Sequence, residues 1–378
     1  MTKRWIGFAT CSVLAWAAGI TACSSTGSDI KLGDQAGSGG QASTIGSGGN
    51  DDFTSGKGGG CNELTVEFEK QIPTVMLLID RSSSMFDNAY GSNKDRWQPL
   101  YDALVDPGSG IVKQLDGEVR FGLATYTNNG SDNTCPLMSE VSPKLDNFSA
   151  IQSAYDQAST KPNFKGETPT GPALLRATEI LEQVAEPGPK YILLATDGEP
   201  DTCGHPDPQC GQDESITAIQ AAYGAGIGTI VIGIGNEVGA KHLADLANAG
   251  DGQAVEEPTQ NWIYNCKNSG ISGQNGSYAP SGGDATYYQP TDQTQLETDI
   301  HGIIMGVRDC VFELKAKVDI ELGHLCTVEL DEKSLPHNTS WKLKSETELE
   351  VIGAACDDLK TISASIHIDC PCDVVKPL

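Results

Sequence analysis

The chain has 378 residues, a formal net charge of −26 at pH 7 and 38% hydrophobic residues. That length allows two domains with cores of their own, and the acidic balance without any basic run argues against a nucleic-acid partner and against attraction to anionic surfaces. Beyond the N-terminal stretch, no segment is long and apolar enough for a spanning helix.

Met1-Thr2-Lys3-Arg4 is a basic start, and Trp5 to Ile20 is mostly apolar. This predicts an export signal over residues 1–22. Ile20-Thr21-Ala22-Cys23 resembles the bacterial lipobox. The resemblance implies cleavage before Cys23, lipidation of Cys23 and, because Ser24 rather than Asp follows, an outer-membrane lipoprotein at the cell surface. Several acyl chains would hold such a protein stably. An ordinary signal cleaved nearby is the alternative. Residues 23–60 are rich in Gly and Ser, and Gly37-Ser38-Gly39-Gly40 recurs as Gly46-Ser47-Gly48-Gly49. This composition predicts a flexible tether reaching roughly 30–35 Å.

Of the 12 cysteines, Cys11 falls in the signal and Cys23 on the lipid. The remaining even set is Cys61, Cys135, Cys203, Cys210, Cys266, Cys310, Cys326, Cys356, Cys370 and Cys372. In an exported chain it reads as disulfides of open connectivity. For Cys203 to Cys210, around Gly204-His205, a loop closed by a disulfide is favoured over part of a zinc site. Cys370-Pro371-Cys372 reads as two cysteines that each pair elsewhere.

Residues 61–309 alternate strand and helix patterns, which predicts a mostly parallel sheet covered on both faces. Leu64–Phe68 leads into a first strand near Thr74–Ile79. Trp97–Val105 is a helix, Val119–Tyr126 a strand, and a short edge strand follows the loop at Asn128–Cys135. Phe148–Ala158 and Pro172–Ala185 are helices, and Tyr191–Ala195 is a strand. Glu214–Tyr223 is a helix, Gly228–Ile234 a strand and Ala240–Ala249 a helix. Ala285–Gln289 is the last strand and Gln293–Val307 the last helix. Gly250–Asp284 is a long insertion. It follows a helix, so it is expected at the sheet edge away from the strand C-termini, whereas the Asp201–Asp213 loop follows a strand and belongs at the functional edge. Residues 310–378 lose the helical period. Val311–Val318, Glu348–Val351 and Ile362–Ile368 alternate polar with apolar, which predicts a small disulfide-rich β module.

Three segments carry chemistry. Asp80-Arg81-Ser82-Ser83-Ser84 leaves the apolar run Pro73–Ile79. Gly166-Glu167-Thr168-Pro169-Thr170-Gly171 adds hydroxyls, and Tyr191–Thr196 ends at Asp197. Carboxylates and hydroxyls gathered at strand ends suit a small hard cation. The ordered set resembles the von Willebrand factor type A domain and its metal-ion-dependent adhesion site. The resemblance implies a Rossmann-like, doubly wound, mostly parallel α/β sheet over about Pro73–Val307. It also implies a metal shell of Asp80, Ser82, Ser84, Thr168 and Asp197, with Thr170 the lesser choice for the second loop. Mg²⁺ is the implied ion, or Mn²⁺ or Ca²⁺, with one position open to Asp or Glu of a protein or matrix ligand. The bland alternative, Asp80 and Asp197 capping turns, leaves the hydroxyls unexplained.

No nucleophile–base arrangement, H-E-x-x-H or complete dinucleotide fingerprint accompanies the set. The expected function is therefore metal-dependent protein binding or adhesion, not catalysis. A structural envelope protein using the metal for stability, and a metal-dependent hydrolase, are the alternatives.

Overall fold

The computed structural model describes residues 64–66, 68–129, 134–162, 166–204, 210–257, 275–308, 310–361 and 366–378. The expected signal, Cys23, the tether, Cys61, His205 and Cys266 lie outside them. Among the described residues no helix is long and apolar enough to cross a membrane.

Two short strands, β1 (Leu64–Thr65) and β2 (Phe68–Lys70), open the described chain. The central sheet then takes β3 (Thr74–Asp80), β4 (Arg120–Asn129), β5 (Thr134–Lys144), β6 (Lys190–Thr196) and β7 (Ile227–Gly233) in the order β5-β4-β3-β6-β7. β3 is central and parallel to both neighbours, with Thr74 level with Arg120 and with Lys190. β7 is parallel to β6, and only the edge strand β5 is antiparallel.

All seven residues of β3 are buried, as expected of an aliphatic run with helices on both sides. Alternate side chains feed opposite layers. Val75, Leu77 and Ile79 pack with helices α2 (Trp97–Val105), α3 (Ile111–Gln114), α4 (Phe148–Ala158) and α8 (Gln293–Gly306). Met76 and Leu78 pack with α5 (Thr170–Glu182), α6 (Gly211–Gly224) and α7 (Ala240–Gly250). A one-turn helix, α1 (Ser84–Asp87), follows β3. This is the doubly wound α/β sheet expected from the sequence.

Several elements differ from expectation. β5 is an 11-residue strand rather than a short one. Its Pro136 and Pro143 read as breakers, yet an edge strand tolerates them because one side of its ladder is open. Ala285–Gln289 contributes one parallel bridge, Ile232 to Tyr288, rather than a strand. The returning limb of the insertion does not stay at the far edge. The backbone N–H groups of Asn275 and Gly276 donate to Asp213 in the first turn of α6, the helix end that shares an edge with Asp197. Ser277 exchanges two hydrogen bonds with Gln220 further along α6.

The tail forms two four-stranded antiparallel sheets that share one core. Its strands are β8 (Val311–Leu314), β9 (Lys317–Val318), β10 (Thr327–Leu330), β11 (Lys333–Leu335), β12 (Trp341–Ser345), β13 (Glu348–Val351), β14 (Ile366–Cys370) and β15 (Val375–Lys376). One sheet runs β1-β14-β10-β11 and the other β12-β13-β8-β2, while β15 pairs with β9. The segment before Thr74, expected only to lead into the α/β sheet, is thus built into this sandwich. Val66 sits in its core with Phe312, Val328, Trp341, Leu349 and Ile368. A helix absent from the sequence reading, α9 (Ala354–Thr361), packs Ala355 and Leu359 on that core.

Disulfides Cys310–Cys356 and Cys326–Cys370 brace the sandwich. Cys203 bonds to Cys135 at the start of β5, so the Cys203–Cys210 loop is not closed upon itself as expected. Cys210 and Cys372 are also disulfide-bonded.

Candidate metal centre

The parallel topology brings the C-terminal ends of β3 and β6 side by side, and with them Asp80 and Asp197. Beyond Asp80 the chain turns sharply, because the Asp80 carboxylate accepts the Ser82 N–H at 2.7 Å. Its other oxygen accepts the Thr196 hydroxyl at 2.8 Å. The turn aims Ser82 and Ser84 the same way, with their hydroxyls 2.9 Å apart. Ser84 donates to Asp197 Oδ1 at 2.7 Å, and the Ser82 hydroxyl stands 3.5 Å from the same oxygen.

The second loop is laced to the first through Ser83. The Ser83 N–H donates to the Gly166 carbonyl at 3.1 Å, and the Gly166 N–H donates to Ser83 Oγ at 3.0 Å. Thr168 follows and is held at both ends of its peptide. Its N–H donates to Asp201 Oδ2 at 3.1 Å, and its carbonyl accepts the Asp201 N–H at 2.8 Å. Gly198 lies between the Thr168 and Ser84 hydroxyls: a β-carbon there would stand 3.5 Å from the first and 3.9 Å from the second. Thr170 turns elsewhere, its hydroxyl 3.1 Å from the buried Tyr126 hydroxyl. All five expected metal residues therefore converge, and Thr170 does not join them.

The cluster offers five side chains with oxygen donors. Asp80 and Asp197 are both buried, and the charge of Asp197 is felt at Asp80. Burial and then the charge of Asp197 push the Asp80 carboxyl up to about 7. Burial also raises Asp197, outweighing its hydrogen bonds from Ser84 and Arg96. Two buried carboxylates beside three hydroxyls, their pKa values raised chiefly by burial, are a donor set that fits a hard divalent cation.

Two further charged groups escaped the sequence reading. Arg96, at the start of α2 and 2% exposed, donates to Asp197 Oδ2 at 2.6 Å and pairs with Glu237 in the loop after β7. Asp197 is thus divided, with Oδ1 toward the serine hydroxyls and Oδ2 on the guanidinium. Asp201 is the other, as the clamp on Thr168. Arg96 has no signature, since it stands in the polar run Lys94-Asp95-Arg96 outside any motif. The spacing of Asp201 four residues after Asp197 was a visible clue.

The von Willebrand factor type A domain model matches residues 74–264. No curated protein matches the chain in sequence. Among solved structures, the pilus adhesin SpaC of Lactobacillus rhamnosus GG is 15% identical, with a TM-score of 0.41, over 83% of this chain and 41% of that one. Proximal thread matrix protein 1 of the mussel byssus, with zinc occupying its adhesion-site motif, is 17% identical over 68% of this chain and 52% of that one, with a TM-score of 0.39. Manganese-loaded TRAP protein of Plasmodium vivax is 16% identical over 53% and 71%, with a TM-score of 0.32. The chain spans less than half of the adhesin's length. With the family model covering half of its residues, the chain belongs to the von Willebrand factor type A domain family.

Proposed function

We propose that this protein is a non-enzymatic, surface-displayed binding protein that captures a protein or matrix ligand through a divalent cation. Ser82, Ser84 and Thr168 would hold the ion, with Asp80 and Asp197 completing or orienting the shell. Mg²⁺ is the ion proposed, since a few hard oxygens plus water suit it. It would supply a positive centre with one open position for an Asp or Glu of the ligand, reversing the sign of an acidic surface at that point. Residues 1–22 would be the export signal, Cys23 the lipid anchor in the outer membrane, and residues 23–60 the tether. The α/β domain and the β sandwich would stand beyond them.

The observation carrying this reading is the meeting of three distant segments at one edge of the sheet, where Ser82, Ser84 and Asp197 share hydrogen bonds and the Thr168 loop is tied to them through Ser83 and Gly166. The test is calorimetric titration of Mg²⁺ and Mn²⁺ into the protein beside Asp80→Asn and Ser84→Ala variants that keep its melting temperature. Saturable uptake of one ion, at least tenfold weaker in both variants, is expected. Failure of the intact protein to take up either ion would sink the mechanism. Ligand capture should then vanish with chelator while the fold persists.

A further inference from the structure

The returning limb of the insertion, residues 275–288, walls two clefts that the metal reading leaves unused. Both lie at the sheet edge opposite Asp197, where α6 and α7 end and β7 begins. The first has a volume of about 720 Å³ and is bordered by Tyr191, Tyr223, Thr229, Thr286, Tyr288 and Gly302. The second, of about 400 Å³, is bordered by Gln220, Tyr223, Gln253, Ser277 and Tyr278. Both volumes are typical of small-ligand sites. Tyr223 lines both, so the two clefts flank one ring.

Tyr223 is 48% exposed, and among the described residues no other tyrosine, phenylalanine or tryptophan is exposed. Its ring rests on bare backbone, since a β-carbon on Gly252 would stand 2.1 Å from its Cζ. A rigid, amphipathic ring with little rotamer freedom to lose is a good stacking platform. Charge is scarce around it, although the chain carries −26. Among the described lining residues, Lys190 and Asp251 alone are charged. Both are engaged: Lys190 Nζ donates to the Leu181 and Val184 carbonyls at 2.9 and 2.7 Å, and Asp251 accepts from Gln253 Nε2 at 2.8 Å. Uncharged polar groups remain. The Gln220 and Gln253 amides each keep a second N–H. The Thr229 hydroxyl, in the wall of the first cleft, has no hydrogen-bond partner.

We propose that the paired clefts bind a neutral oligosaccharide, with one pyranose ring stacked on Tyr223 and the neighbouring sugars in the clefts on either side. A pyranose presents an apolar C–H face and a rim of hydroxyls that donate and accept. The face matches an aromatic ring, and the rim matches amides and hydroxyls rather than ions. An extended peptide fits less well, because the outer edge of β7 is already closed. The Val231 carbonyl accepts the Tyr288 N–H at 3.0 Å, and a β-carbon on Gly250 would stand 2.1 Å from the Thr229 carbonyl oxygen. An added strand would find neither carbonyl open to it. The site needs no cation, so it stands apart from the function proposed above. It also gives the insertion a role, since Ser277, Tyr278, Thr286 and Tyr288 all come from its returning limb.

The test titrates maltohexaose, cellohexaose and chitohexaose into the full chain by calorimetry, with chelator present so that metal-dependent binding is silent. Saturable binding of at least one sugar is expected, weakened about tenfold in Tyr223→Ala and kept in Tyr223→Phe, which preserves the ring. Circular dichroism and thermal melting check the variants. If Tyr223→Ala misfolds, Tyr223→Leu decides, because it keeps apolar bulk against Gly252 without the ring. Failure of all the sugars to bind, or affinity unchanged by loss of the ring, would overturn the proposal. So would capture of a hexaglycine peptide in their place, which would give the groove to an extended chain.

Discussion

Arg96 and Asp197 set the electrostatics of the candidate centre residue by residue. The guanidinium is buried and shared between Asp197 and Glu237, so it offsets negative charge beside the donor set. A divalent ion bound there would make the local charge more positive and would favour an anionic ligand at an open position. Arg96→Met would leave Asp197 buried without its partner and cost about 3–5 kcal/mol of stability. Urea unfolding without metal should read that loss, and Arg96→Met combined with Asp197→Asn should recover part of it. A second residue gives a pH signature. His242 on α7 is buried, and burial lowers its pKa to about 4 against an ordinary 6.5; Glu199 opposes the shift and Lys241 adds to it. Its folded pKa lies below its unfolded value, so between about pH 6.5 and 4 the unfolded chain binds a proton that the folded chain does not. The contribution is complete above pH 6.5 and is lost as pH falls toward 4, on the order of 3 kcal/mol. His242→Gln should flatten that part of the stability–pH curve; an unchanged slope would rule His242 out as its source.

At the scale of elements, close backbone approach decides where helices lie on the sheet. Gly250 ends α7 against β7, and a β-carbon there would stand 2.1 Å from the Thr229 carbonyl oxygen. The obstacle is backbone, so Gly250→Ala must push α7 off the strand. A loss of about 1–3 kcal/mol is expected, seen as a lower melting temperature with metal affinity unchanged, since α7 ends at the sheet edge opposite Asp197. The same scale shows what the sequence makes legible. Phe148–Ala158 is read to the residue because its apolar positions Phe148, Ile151, Tyr155 and Ala158 hold one helical face. Asp80 and Asp197 are legible because each closes an apolar run, and a parallel sheet brings such ends together. α9 is not legible, since two turns with Ala355 and Leu359 as their buried contacts give too short a period, and Cys356 is fixed by its disulfide. β5 hides behind its prolines. The Arg96 pairing is invisible for a different reason: it depends on where α2 begins in space, which no local pattern encodes.

For the whole molecule, the α/β sheet is inserted within the sandwich rather than placed before it. β1 joins β14 and β2 joins β8, so the chain enters the α/β sheet from the sandwich and returns to it after α8. Arg308 fastens the return. It pairs with Glu118 ahead of β4 and donates to the Lys360 carbonyl in α9. A fragment of residues 310–378 therefore keeps two disulfides yet loses β1, β2 and the Val66 side chain. One sheet is left with β14 as an uncovered edge and the other with β8 uncovered. A piece of that size has little core to lose. Trp341 is its sole tryptophan and is buried in the full chain, so it reports the outcome directly. Produced alone, residues 310–378 should show red-shifted tryptophan emission and no cooperative melting, whereas residues 61–378 should melt cooperatively. Residues 73–308 should also fold alone, because both helix layers close on β3 without help from the sandwich. Blue-shifted emission and a sharp transition in residues 310–378 would mean that β1 and β2 are decoration on a self-sufficient module. The expected failure would mean that β1, β2 and Val66 are required parts of the sandwich, so that the sandwich closes only around both chain ends of the α/β sheet.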